Sequence, residues 1–189
     1  MATIPYHQIR ATYTASTIVV YQAYNSTIAT AAVAAQSLSK IAQFKPHRMT
    51  WIKPSFRWML YRSGWASKQN QEHILAIHLT REGWEQALLW SGTREDEKCV
   101  RVQWDPERGM RFEPLGHRSI QVGLSGRAVE QGLFGGWIVK IEGVTELARR
   151  IGVLVEEGKV DAARELLPQE SEYTFLNDEA RIACDAHTS

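Results

Sequence analysis

Hydrophobic and polar positions along the chain alternate between two periods, and each predicts an element type. Thr17-Ile-Val-Val-Tyr-Gln-Ala-Tyr24 is β-branched and aromatic, which predicts a strand. Asn25-Ser26-Thr27 follows as an N-cap signal, and the alanine-rich run Ile28 to Leu38 predicts a helix able to pack closely on a sheet. Lys45-Pro46-His47-Arg48 breaks the pattern as a loop, and Met49 to Ile52 is a short apolar strand. Pro54 suits a first helical position, so Ser55 to Arg62 reads as a helix ended by Ser63-Gly64. His73 to Thr80 is a buried strand, and Thr80 caps a helix from Arg81 to Trp90.

The second half continues in the same way. Ser91 to Lys98 is a polar surface loop. Cys99 to Trp104 alternates, Asp105-Pro106-Glu107-Arg108-Gly109 carries turn chemistry, and Met110 to Phe112 returns as a hairpin. Arg118 to Val122 and Trp137 to Ile141 are further strands. Thr145 to Glu157 and Val160 to Leu167 are amphipathic helices separated by Gly158. After Pro168 the pattern fades. The expected architecture is α+β: one compact domain over residues 1–170, with a mixed or antiparallel sheet, flanking helices and two C-terminal amphipathic helices. Residues 171–189 are expected as a flexible tail.

Composition narrows the class. A chain of 189 residues with 44% hydrophobic and 23% charged residues fits a single globular domain. The two cysteines, Cys99 and Cys184, form no metal or disulfide framework, so a reducing compartment is the simpler expectation. No apolar run is long enough for a membrane span and no secretory signal opens the chain, so a cytoplasmic location is expected, with the nucleus as the other option. The histidines show no ligand spacing, and no metal site is expected.

Charge adds a sharper feature. The formal net charge is only +1, yet no Asp or Glu precedes Glu72, while eight Lys and Arg residues do. Either the two halves pair their charges on folding, or the positive part faces an anionic ligand. The second account has a natural location in Met49 to Trp65. That stretch holds Trp51, Lys53, Arg57, Trp58, Tyr61 and Arg62, with Lys53, Arg57 and Tyr61 at four-residue spacing. Arginine forks match phosphate or carboxylate, and Trp and Tyr faces stack on planar rings. The competing account makes the aromatics core and the cations solvated. A second wall is expected from Arg118 and from Gly123-Leu-Ser-Gly126, where Ser125 would cap a helix and Gly126 would offer backbone donors to an anion; a plain capped turn is the alternative. Asp105, Glu107 and His117 are the side chains suited to acid–base work, although a turn alone also favours Asp and Pro.

Several stretches resemble the domain of unknown function 4291 family. They are Ile9-Arg10-Ala11 with Thr17 to Tyr24, Arg48 to Phe56, Tyr61 to Ala66, Ile74 to Gly83, Val100 to Arg108, Arg118 to Gly126 and Trp137-Ile-Val. The resemblance covers about residues 7–170. It implies acidic residues where Thr14-Ala15-Ser16 stands, and a longer segment than Ser91 to Lys98. It implies no mechanism. The residues themselves suggest an enzyme-like domain holding a phosphate-bearing nucleotide or nucleic-acid end, one version being an ADP-ribosyltransferase-type transferase using NAD. A non-catalytic nucleic-acid-binding module, and an enzyme of a specialised pathway acting on an anionic small molecule, are the alternatives.

Overall fold

The computed structural model describes residues 4–91 and 99–188. Its strands form three antiparallel sheets. The first has the order β2 (Thr17–Tyr24), β4 (His73–Thr80) and β7 (Ile138–Gly143). The second has the order β3 (Thr50–Ile52), β6 (Pro114–Leu124) and β5 (Val100–Arg108). The third is a small pair, β1 (Arg10–Ala11) with β8 (Ser171–Glu172). The two larger sheets meet edge to edge at one bridge, where the Tyr21 N–H donates to the Lys53 carbonyl at 2.8 Å. This bridge sets Lys53 at the junction of both sheets, and Gln22 reinforces it by donating to Thr50 Oγ1 and the Trp51 carbonyl.

The burial of β2 explains its unbroken apolar run. Ile18 and Val20 enter one core together with Leu75, Ile77 and Trp84. Val19 and Tyr21 point the other way, into a second core with Phe56, Leu60 and Ile151. A strand covered on both faces has no reason to alternate. Helix α1 (Ser26–Ala35) lies on the first side, its Ala29 and Ala32 buried, and Asn25 caps it by accepting the Ile28 N–H at 3.0 Å. Helix α3 (Arg81–Ser91) follows β4 directly and buries Trp84 in the same core. Helices α2 (Phe56–Ser63), α4 (Thr145–Glu156) and α5 (Val160–Glu165) contribute to the second core.

Two expectations change. The turn proposed at Asp105 to Gly109 lies further on. β5 runs through Arg108, and the chain reverses over residues 109–113, where the Gly109 N–H donates to Glu113 O at 2.8 Å. Pro106 is tolerated because β5 is an edge strand with a register irregularity beside it. Asp105 and Glu107 are therefore strand residues. The segment expected as a flexible tail forms β8 and α6 (Asp178–Ala183). Tyr173, Ala180 and Cys184 are buried there in the first core. The expected loop Ser91 to Lys98 lies outside the described residues beyond Ser91, which ends α3.

Candidate functional site

The face of the second sheet that turns away from the first core carries polar and charged side chains. Asp105 pairs with Ser119, Gln103 with Gln121, and Trp51 with Gly123. Side chains alternate along a strand, so these residues and Lys53 share one face while Ile52, Ile120 and Val122 enter the core. Helix α2 lies across this face. It begins one residue after Ser55, whose hydroxyl accepts the Trp58 N–H at 3.1 Å, so Lys53 belongs to the strand end and not to the helix face expected for it.

Lys53 is 1% exposed. Its Nζ donates to Asp105 Oδ2 at 3.0 Å and to Ser119 O at 2.9 Å, and lies 4.2 Å from the centre of the Trp58 ring. Burial pulls its pKa down to about 8, against the opposing pull of the Asp105 and Glu107 charges. Beside it opens a cleft of about 760 Å³, lined by Tyr24, Arg48, Trp51, Lys53, Trp58 and Arg62 among others. Trp51 lies flat where Gly123 makes room: a Cβ there would come within 3.0 Å of the indole and 2.7 Å of Met49 Sδ.

The remaining expected residues divide. Trp51, Lys53, Trp58 and Arg62 share the cleft. Arg57 and Tyr61 lie elsewhere on α2. Tyr61 packs against Arg108, with the guanidinium 4.0 Å from the ring centre, and Arg57 acts electrostatically on His117 and Glu170. Arg118 neighbours Ser119 and so takes the opposite face, donating to Trp104 O at 2.7 Å and to the Tyr6 hydroxyl. Ser125 and Gly126 form no anion cradle, because their N–H groups already donate to Cys99 O at 2.8 Å and Pro46 O at 2.9 Å. The helix that follows is a short π-helical turn, Ala128–Leu133. The second wall therefore does not join the first.

Asp105 and Glu107 both act on Lys53, and His117 lies within reach of the Glu107 charge. Glu107 is 3% exposed and His117 9%. Burial lowers the His117 pKa, the Glu107 charge opposes this, and Arg57 and Arg10 add to the lowering. His117 Nε2 and Ser119 Oγ are buried without a hydrogen-bond partner among the described residues. Orphaned polar atoms on a charged face are unusual and point to unmet chemistry.

The model of the family described as Domain of unknown function (DUF4291) matches residues 8–173. The chain belongs to that family. No curated protein and no solved structure matches it. The DUF4291 match includes the cleft and the whole acid–base cluster. It also includes two members that the sequence did not single out, Arg10 and Glu170. The Glu170 carboxylate accepts the Phe56 N–H at 2.8 Å, at the start of α2, and Arg10 donates to the Glu170 carbonyl at 2.9 Å. No local pattern marks Glu170, which stands in a loop just beyond Pro168.

Burial and the Glu107 carboxylate push the Glu170 pKa up to about 8 from an ordinary 4.5, while the Phe56 N–H, Arg57 and Arg10 hold it back. A folded-state pKa raised in this way stabilises the fold fully below pH 4.5, and that contribution is lost as the pH rises through 8. Glu170→Gln keeps an acceptor for Phe56 and cannot ionise. Urea denaturation across this range should show the wild type losing stability relative to the variant as the pH rises. Parallel curves for the two proteins would place Glu170 outside the coupled cluster.

Proposed function

We propose that this DUF4291 domain is an enzyme that binds a phosphate-bearing nucleotide, or the phosphorylated end of a nucleic acid, in the Lys53 cleft and transfers a group on it. The observation that carries the reading is Lys53 itself. An ammonium so fully withdrawn from water is costly, yet it forms part of a cleft wall. The cleft volume of about 760 Å³ lies in the range that holds one small ligand. Trp51 and Trp58 offer ring faces for a base, and the exposed Lys45, Arg48 and Arg62 offer cations to the phosphates. Asp105, hydrogen-bonded to the cleft residue Lys53, is the carboxylate to which this reading gives the proton of the acceptor, and the Glu107 charge also acts on Lys53.

Calorimetric titration with ATP, NAD and a 5′-phosphorylated trinucleotide tests this reading. At least one should bind at a single site, and Arg62→Ala should weaken it by about tenfold, the worth of one charge-assisted hydrogen bond. Failure of all three to bind would overturn the proposal. The exposed cations also fit a non-catalytic nucleic-acid module. Binding only to long single strands, with a steep salt dependence and no mononucleotide binding, would favour that module.

A further inference from the structure

The histidine spacing in the sequence offers no metal ligands, but the fold brings three together away from the cleft. His7, Asp185 and His187 place one ligand atom each within 4.8 Å of one another. His7 Nδ1 lies 2.9 Å from Asp185 Oδ2, and His187 Nε2 lies 3.9 Å from Asp185 Oδ1. In a tetrahedral zinc site with bonds of about 2.0–2.1 Å, ligand atoms sit roughly 3.3 Å apart. The two imidazoles approach different oxygens of the one carboxylate, His7 inside that distance and His187 outside it, and one ligand atom of each residue lies within 4.8 Å of the others. The His187 ring is half exposed and lies tilted against the His7 ring, with the ring centres 5.2 Å apart.

The surroundings hold the His7 ring and the backbone beside Asp185, whose side chain is 75% exposed. The His7 ring is stacked on Trp104 at 4.5 Å with an interplanar angle of 9°, and on Tyr6 at 5.0 Å from its other neighbour. The His187 N–H donates to the His7 carbonyl at 2.7 Å, which ties the two chain segments together beside the rings. Trp104 Nε1 donates to Cys184 O at 2.9 Å and anchors the residue before Asp185. The set is two imidazoles and one carboxylate, the nitrogen and oxygen donors that zinc-class ions take. Asp185 also borders a hollow of about 650 Å³ shared with Arg101 and Trp104, so the carboxylate is open to solvent on that side.

We propose that His7 Nδ1, Asp185 and His187 Nε2 bind a divalent transition-metal ion of the zinc class, and that this ion clasps the N-terminal arm to the segment after α6. When the ion binds, the His7 proton resides on Nε2, leaving Nδ1 as the ligand. All three residues lie outside residues 8–173, so the clasp is an addition to the DUF4291 domain and independent of the cleft.

The test uses full-length protein stripped with a chelator and titrated with zinc chloride by calorimetry, with thermal unfolding as a second readout. Wild-type protein should bind one ion and unfold at a higher temperature with it. His7→Ala and His187→Ala should each weaken binding by about tenfold or more, since even second-shell losses reach that size. Cobalt(II) titration should give the visible absorption of a low-coordinate site in the wild type, and His187→Ala should abolish it. His187 is exposed, so that variant folds. Absence of saturable zinc binding, or binding unchanged in both variants, would overturn the clasp.

Discussion

Glu85→Ala is expected to cost about 3–5 kcal/mol of stability, the size seen when one partner of a buried charged network is removed. Glu85 is buried in α3 and serves three donors from the far end of the chain. Its Oε1 accepts the Tyr173 hydroxyl at 2.9 Å and the Leu176 N–H at 2.7 Å, and its Oε2 accepts the Asn177 N–H at 2.8 Å. Asn177 caps α6, so one carboxylate anchors Tyr173 and the start of the last helix. Arg81 adds to the same anchor through the Tyr173 hydroxyl and the Thr174 carbonyl. Alanine would leave all three donors without an acceptor. For a chain of this length the melting temperature should fall by roughly 10 °C. Glu85→Gln retains one oxygen and should lie between the two. Hydrogen exchange at the Leu176 and Asn177 amides should accelerate in step. A loss within about 0.5 kcal/mol, the range of an ordinary surface change, would mean that the segment is held by its apolar contacts alone.

This anchor also explains why the end of the chain was hard to read. Residues 171–188 attach through isolated positions: Tyr173, Ala180 and Cys184 in the core, and main-chain N–H groups on Glu85. Such anchors have no period, so hydropathy patterning registers only polar sequence. Segments with a strong local signal are different. β2 follows from its β-branched run and α1 from the cap at Asn25, while α2 follows from the Pro54 signal and the Ser63-Gly64 stop, with its cap at Ser55, one residue beyond that proline. The displaced turn after β5 shows local chemistry yielding to context. Asp-Pro-Glu-Arg-Gly has every turn residue, yet an edge strand has no ladder bond for Pro106 to break.

The site divides along the same line. Trp51, Lys53, Trp58 and Arg62 lie within one stretch, and their convergence on the cleft follows from a strand end leading into a capped helix. Asp105 opposite Ser119 depends on the register of β5 and β6, and Glu170 on a loop brought back from the end of the matched domain. Neither relation is encoded locally. Arg118 is one residue from Ser119, and one residue along a strand is the opposite face, so its charge points away from the cleft.

Lys53→Met separates a functional lysine from a structural one. Methionine fills a similar volume, and its thioether packs well on the Trp58 ring. The substitution removes an ammonium that is 1% exposed, and Asp105, 27% exposed at its side chain, can take up water in compensation. Stability should therefore hold to within about 1 kcal/mol, because the cost of the lost hydrogen bonds is offset by relieving the burial of the ammonium and rehydrating Asp105. Affinity for the nucleotide bound by the wild type should fall by about 100-fold, the loss of a hydrogen bond from a charged donor. The pH profile supplies an independent check. The Lys53 pKa is depressed to about 8 from an ordinary 10.5, so its contribution to stability is full above 10.5 and lost as the pH falls through 8. Any advantage of Lys53→Met over the wild type should thus be greatest near neutrality and shrink as the pH approaches 10.5. A variant that unfolds as readily as Glu85→Ala would make Lys53 a structural strut between the two sheets. A stable variant that still binds nucleotide at wild-type affinity would place the ligand elsewhere.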